Sequence, residues 1–311
     1  MHRIDGPGAT VDKKFTEGDP VGGVQATVVT AAWMNDVQEE LVSVLSAGGV
    51  APVKGVQDQL LRAIRTMSTG AVGTATNLKM TVPTASASAT VTADQVVVGA
   101  GLGGQAYRLS SYSKTINLAT TGPGGMDAGT ALANGYIALY AIYNPATGAS
   151  SILATNATSA IMPAVYSAAP YPAGYTASAL LAVVPTGASA LFKVCRVQGR
   201  KVFIPLVAVY SGSSIITATP VSIAGAVPPN AIEIFGELSV SSTASAGLSL
   251  SLTSDSSLIG QQNTSATVGS GNASIGNFAN VPIVTPQTVS VTTNSTAGTP
   301  LFIVYVGGYL I

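Results

Sequence analysis

Few side chains in this sequence could do chemistry, and their spacing narrows the choice further. His2 is the only histidine, so neither a histidine-rich metal site nor a Ser-His-Asp triad can be assembled. Cys195 is the only cysteine. It stands in an apolar run near Phe192 and Val194 with no histidine to activate it, and reads as an inert thiol rather than a nucleophile. Glu233 and Glu237 pair two carboxylates four residues apart. In an extended strand that spacing spans about 13 Å, beyond the roughly 5–9.5 Å that separates the two acids of a glycosidase. They could work only with Asp94, Asp127 or Asp255 brought in by the fold, and a solvated strand face is the better reading. Gly99 to Gly104, GAGLGG, satisfies G-x-G-x-x-G directly after QVVV. A dinucleotide site needs that motif to open a helix, whereas the following QAYRLSSYSKTINLATTGPGG has no helical stripe; a glycine turn between strands is expected. No catalytic residue, cofactor site or metal site is expected, and the chain is not read as an enzyme.

The composition explains this scarcity. Charged residues make up 8% of the 311 residues, against about 25% in ordinary soluble domains. The 13 basic and 13 acidic side chains cancel, which leaves no clustered positive charge for nucleic acid or for anionic lipid. Mean hydropathy is +0.45, yet runs such as ALLAVV (Ala179 to Val184) and LFIVYV (Leu301 to Val306) fall well short of the roughly 20 residues that span a bilayer. They have strand length, so no membrane insertion is expected. The opening residues lack the apolar core of a signal peptide, and a single cysteine permits no intramolecular disulfide, which fits synthesis in a reducing cytosol.

The elements fall into two regimes. Residues 1–68 hold eight acids and six bases, and residues 69–311 only five acids and seven bases. In the first, Thr30 is placed to cap a helix along which Trp33, Val37, Leu41, Val44 and Leu45 recur at helical spacing, and Gly48-Gly49 supplies its stop. Val56, Leu60 and Ile64 mark a shorter second helix. The pair reads as a helical hairpin too short to be stable alone, so it packs either on the following domain or on other subunits. Residues 69–95 read as a Gly, Ser, Thr and Ala linker or first strands. Beyond them strand signals follow in series: YIALYAIY (Tyr136 to Tyr143), apolar on both faces; AGLSLSLTS, with Leu248, Leu250 and Leu252 alternating with serines; a hairpin about Gln198-Gly199; then AIEIFGELSV, QTVSVTT and LFIVYV. The fold class is mainly β, a short N-terminal α-helical hairpin followed by β-sandwich-like modules over residues 96–210 and 211–311.

MHRIDGPGATVDKKFTEGDPVGGVQATVVTAAWMNDVQEELVSVLSAGGV, with VQDQLLRAI after it, resembles the opening of tail-fibre proteins from tailed bacteriophages and prophages of Gram-negative bacteria, pseudomonads especially. The likeness covers residues 1–68. GGMDAGTALANGYIALYAIYNPATG, YPAGYT and VQGRKV are similar to a β-module that recurs in such fibres. There Trp-Tyr usually stands in place of Gly135-Tyr136, and an arginine follows the Gly-Tyr-Thr segment where none stands here, which bears on any shared binding site. The resemblance implies a virion tail protein made in the host cytoplasm, homotrimeric, joined at one end to baseplate or tail-tip proteins. Its other end would bind a bacterial receptor: lipopolysaccharide, pilus or outer-membrane protein. Structural baseplate or decoration proteins and polysaccharide-cleaving tailspikes are the alternatives.

Site residues follow from these readings. Virion docking is expected from Trp33, Val37, Leu41, Val44, Leu45, Leu60 and Ile64. In YSAAPYPAGYT (Tyr166 to Thr176), Tyr166, Tyr171 and Tyr175 are candidates for receptor contact, since Pro and Gly turns can hold such rings outward, with loop packing the simpler alternative. At the C-terminus, Leu301 to Val306 is apolar on both faces, Gly307-Gly308 allows a sharp turn, and Tyr309, Leu310 and Ile311 add apolar surface. Threefold assembly through Phe302, Val304, Tyr305 and Tyr309 is therefore expected.

Overall fold

The computed structural model describes residues 2–67, 70–168 and 171–311, and the chain divides into two compact units, Met1–Thr69 and Gly70–Ile311. The sequence boundary at residue 68 itself lies outside the described residues. The first unit carries α1 (Ala31–Ala47) and α2 (Gln59–Met67). The Thr30 hydroxyl accepts the Trp33 amide at 3.3 Å, satisfying one of the free donors of the first turn. At the other end Gly48 donates to the Val44 carbonyl at 3.0 Å, and Gly49 takes φ +66, the left-handed step that ends a helix. The helices meet through small residues. A Cβ on Gly48 would lie 2.6 Å from that of Ala63, so the backbones approach closely, and among the described residues Leu45, Val50 and Ala63 form a small interior with Val44 packed against it.

Among the described residues of the second unit the regular elements are all strands. Its first half holds β1 (Ala75–Thr76), β2 (Lys79–Val82), β3 (Ser88–Gly99), β4 (Ala106–Asn117), β5 (Tyr136–Asn144), β6 (Ala149–Asn156), β7 (Ala177–Pro185) and β8 (Cys195–Gln198). The second half holds β9 (Lys201–Gly212), β10 (Thr219–Ser222), β11 (Glu233–Ser242), β12 (Ala246–Thr253), β13 (Gln262–Val268), β14 (Ala273–Pro282), β15 (Thr288–Ser295) and β16 (Pro300–Leu310). They pair antiparallel into one long open sheet, β14-β11-β16-β9-β8-β2-β3-β7-β5-β6, with β1 and β4 also on β3, and a smaller sheet, β10-β15-β12-β13. The leucines of β12 (Leu248, Leu250, Leu252) share a core with Leu238, Val240, Phe302 and Val304 of the long sheet. This two-layer packing is sandwich-like.

β5 is buried on both faces, as its unbroken apolar run predicts. Ile137, Leu139 and Ala141 point into the main core, while Tyr136, Ala138, Tyr140 and Ile142 point into a second cluster on the other side. Its neighbour β7 keeps step by a bulge. Leu139 pairs with Ala182 and Tyr140 with Leu180, so Leu181 is the extra residue. Leu181 and Ala182 both therefore face the main core, a parity change that regular alternation forbids.

The structure corrects three expectations. The division at residue 210 falls inside β9, which pairs with β8 on one edge and β16 on the other, and one core runs from Leu78 to Tyr309; residues 96–210 and 211–311 are not separate modules. The hairpin turn is Gly199-Arg200, because Gln198 and Lys201 are the paired residues and Gly199 supplies the positive φ of +60. At the C-terminus Gly307-Gly308 does not turn the chain. Phe235 pairs with Gly308 and Gly236 with Val306, so Gly307 is a bulge within a continuous strand. That extra residue turns Tyr309 inward like Val306 despite their odd spacing, and its hydroxyl donates to the Val183 carbonyl at 2.8 Å.

Candidate functional site

Three surfaces carry the expected roles, and the structure treats each differently. In the first unit the segment before α1 folds back on itself. Asp19 and Val24 exchange backbone bonds at 2.8 Å, Val28 donates to the Pro7 carbonyl at 2.9 Å, and the Thr27 hydroxyl donates to the Gly8 carbonyl at 2.9 Å. His2 is not loose, contrary to the flexible terminus its position suggests. Its Nδ1 lies 2.6 Å from the Asp36 carboxylate of α1. The Trp33 indole N–H donates to the His2 carbonyl at 3.1 Å, and the ring meets Phe15 edge-on at 5.0 Å. Trp33 thus clamps the N-terminal segment to α1.

The other docking candidates divide by exposure. Leu45 is interior, Val37 and Val44 are half-buried, and Leu41, Leu60 and Ile64 are 47%, 39% and 48% exposed. Met67 extends the α2 stripe at the same helical spacing and is also exposed; sequence reasoning missed it, although 60, 64 and 67 fall at i, i+4 and i+7. Because Gly48 and Ala63 bring the helices together, Leu41, Leu60, Ile64 and Met67 stay outside the hairpin.

The hydrogen bond to Asp36 is the main cause that raises the His2 pKa above its ordinary 6.5, and the same bond lowers Asp36 below 3.8. The linkage has a defined sign. A raised histidine contributes fully below 6.5 and loses its contribution as pH rises through the higher folded value; a lowered carboxylate contributes above 3.8 and loses it as pH falls through its lower folded value. The clamp is therefore complete between those two folded values. Trp33 is the only tryptophan, so its emission should shift to the red as pH climbs through the raised His2 value. Asp36→Asn should abolish the shift, and a pH-independent spectrum in the unmodified chain would remove His2 from the clamp.

The tyrosine segment is packed inward, its residues 169 and 170 lying outside the described set. Tyr166 is buried, donates to the Asp127 carboxylate at 2.8 Å, and stacks on Tyr171 with ring centroids 5.2 Å apart. Tyr171 donates to the Ala177 carbonyl at 3.0 Å, and Tyr175 packs on the same cluster beside β5. Burial raises the Tyr166 and Tyr171 hydroxyls above their ordinary value. The turn in which Tyr175 donates to the Pro172 carbonyl at 3.1 Å holds the rings against the sheet, with Tyr166 buried and Tyr171 and Tyr175 half-buried, so Tyr166 does not take the outward orientation expected of it. Likewise Phe302, Val304 and Tyr309 are fully buried within one chain, filling the core that the two sheets share. Tyr305 alone of the assembly candidates lies on the outer face, half-buried.

Cys195 and the GAGLGG turn lie where the sequence places them. Cys195 is buried, and desolvation pushes its thiol up to about 12, so it stays protonated at neutral pH. GAGLGG closes β3 and turns into β4, with Ala100 donating to the Gln105 carbonyl at 3.1 Å; the motif opens a strand, not a helix. Among the described residues no group of His, Cys, Asp and Glu is placed to hold a metal ion, and no helix is long and apolar enough to cross a membrane.

The chain matches no family model. Over 73 residues it is 42% identical to a protein of Escherichia coli (strain K12) named "Uncharacterized protein StfP". That similarity takes in 22% of this chain and 35% of the other, so the chain spans about a third of the length of the curated relative it matches.

Proposed function

We propose that this chain is a phage structural protein, a tail-fibre subunit that joins the baseplate or tail tip through its first unit and binds a bacterial surface receptor through its β unit. It acts in the virion as one of three copies and leaves the receptor chemically unchanged. The observation that supports this best is the helical hairpin. Four of its large apolar side chains, Leu41, Leu60, Ile64 and Met67, remain exposed, at the end of the chain that resembles fibre attachment segments. A charge-poor sandwich suits the other half of the role, since its neutral surface neither attracts nor repels the polar coat of a cell.

The test grafts residues 1–68 onto an unrelated soluble trimer and measures its joining to particles that lack the fibre. The graft should join as the full chain does. Leu60→Ser with Ile64→Ser should weaken joining by about tenfold or more, because each buried aliphatic side chain contributes about 1.5–3 kcal/mol. Both positions are exposed, so the hairpin should keep its helical circular dichroism. A graft that stays free while the full chain attaches would overturn the docking assignment.

A further inference from the structure

The outer face of the long sheet loses its register at one level on four neighbouring strands. Between β11 and β14, Ile234 pairs with Val281 and Gly236 with Phe278, leaving Phe235 against both Ala279 and Asn280. Between β11 and β16, Gly307 is extra. Between β16 and β9, Gly308 pairs with Phe203 and Val306 with Val207, which sets three residues of β9 against Gly307 alone. Bulges bend a strand and re-aim its side chains, and here three ladders do so side by side.

The glycines at this level clear a floor. A Cβ on Gly308 would lie 2.2 Å from the Phe235 ring, and one on Gly236 would lie 1.9 Å from the Tyr305 carbonyl oxygen. The result is an open depression of about 430 Å³. Phe203 and Phe235 lie in it with ring centroids 5.2 Å apart, and the Lys201 ammonium stands 6.0 Å from the Phe235 ring. Glu237 and Asn277 are directly paired across the ladder, and Asn280 holds φ +56 at the bulge. Among the described residues the polar ends of Glu237, Asn277 and Asn280 make no hydrogen bond to another group.

We infer that this depression is a saccharide-binding site that takes a neutral hexopyranose unit. The C–H face of a pyranose is weakly positive and suits the negative face of an aromatic ring. Its hydroxyls both donate and accept, which matches a carboxylate that only accepts, an ammonium that only donates, and two carboxamides that do both. One positive and one negative group balance, so the site offers no net attraction to an acidic sugar. A peptide strand would pair at a sheet edge rather than lie across four paired strands, and an acyl chain would find no enclosed channel. The inference deepens the receptor-binding reading and rests on it only for the claim that the sugar belongs to a cell surface.

Saturation-transfer NMR on the full chain with methyl glycosides of glucose, mannose, galactose and their 6-deoxy forms tests it. At least one should receive saturation at its ring C–H protons. Phe203→Ser, at an exposed position, and Glu237→Gln should each weaken that glycoside by about tenfold, the loss expected for one stacking or charge-assisted contact. Their melting should stay unchanged. No transfer to any glycoside, or binding untouched by both variants, overturns the site. A change of sedimentation in either variant also overturns it, by making this face an interface between copies. Adsorption assays separate the two claims: a chain that blocks phage adsorption but binds no glycoside sinks the saccharide site alone, whereas glycoside binding without adsorption blocking sinks the receptor role alone.

Discussion

Deleting Leu301–Ile311 will unfold the second half of the β unit, not merely separate fibre subunits. The segment forms β16, which lies between β11 and β9 and is paired along both edges. Its inward side chains, Phe302, Val304, Val306 and Tyr309, are all fully buried. Truncating one buried aromatic residue costs about 3–5 kcal/mol, and a whole domain is stable by about 5–15 kcal/mol. Removing two such residues, their aliphatic neighbours and both ladders exceeds that total. The Tyr309 hydroxyl also ties β16 to β7 through Val183, so the damage should reach the first half of the sheet. Circular dichroism should show loss of the cooperative β melt, while Trp33 emission continues to report an intact first unit. A truncated chain that melts like the full one would mean that β16 is dispensable to the core, which its burial contradicts.

What the sequence made legible follows from where each strand sits. β5 and β12 declare themselves because burial on two faces demands an unbroken apolar run and burial on one face demands alternation. The strands that escape such reading are β13 and β14, which lie at the open ends of the two sheets. An edge strand covers little core; β14 buries only Phe278 and Val281, leaves Ile275 63% exposed, and otherwise carries Ser, Asn, Gly, Ala and a closing Pro282, the composition of a loop. β4 escaped for a related reason. Its inward residues, Leu109, Tyr112 and Ile116, are interrupted by Ser111 at φ +50, which spoils the period of two.

The site was legible to a different degree. The Thr30 cap and the α1 stripe can be read from residue types alone. Which stripe remains exposed cannot, because it depends on Gly48 meeting Ala63, a contact between residues 15 positions apart. Tyr166 and Tyr309 misled in the same manner. An aromatic ring beside Pro and Gly, or at the end of a chain, carries no local sign of direction, and each found its hydroxyl partner far away in sequence, at Asp127 and Val183. The depression on the outer face was invisible because it arises from bulges in several strands at once, and single-strand patterns assume perfect alternation.

Gly236→Ala should be among the most damaging conservative substitutions in the chain, and its cause is backbone rather than core. The added methyl would sit 1.9 Å from the Tyr305 carbonyl oxygen, 2.9 Å from its carbon and 3.0 Å from the Gly307 nitrogen. All three belong to the main chain of β16, so no side chain can rotate away. The ladder between β11 and β16 must open there, and both strands anchor the shared core through Leu238, Val240, Val304 and Val306. Forced overpacking typically costs about 1–3 kcal/mol; with a rigid ladder as the obstacle, the upper end applies. For a unit of this size that lowers the melting temperature by about 6 °C. Gly225→Ala is the matched control, since nothing lies within 4 Å of its added Cβ, and it should melt with the unmodified chain. If the two alanine variants melt together, the close passage of β11 over β16 is not the constraint that keeps residue 236 a glycine, and the floor of the depression must be held open by the Gly307 bulge alone.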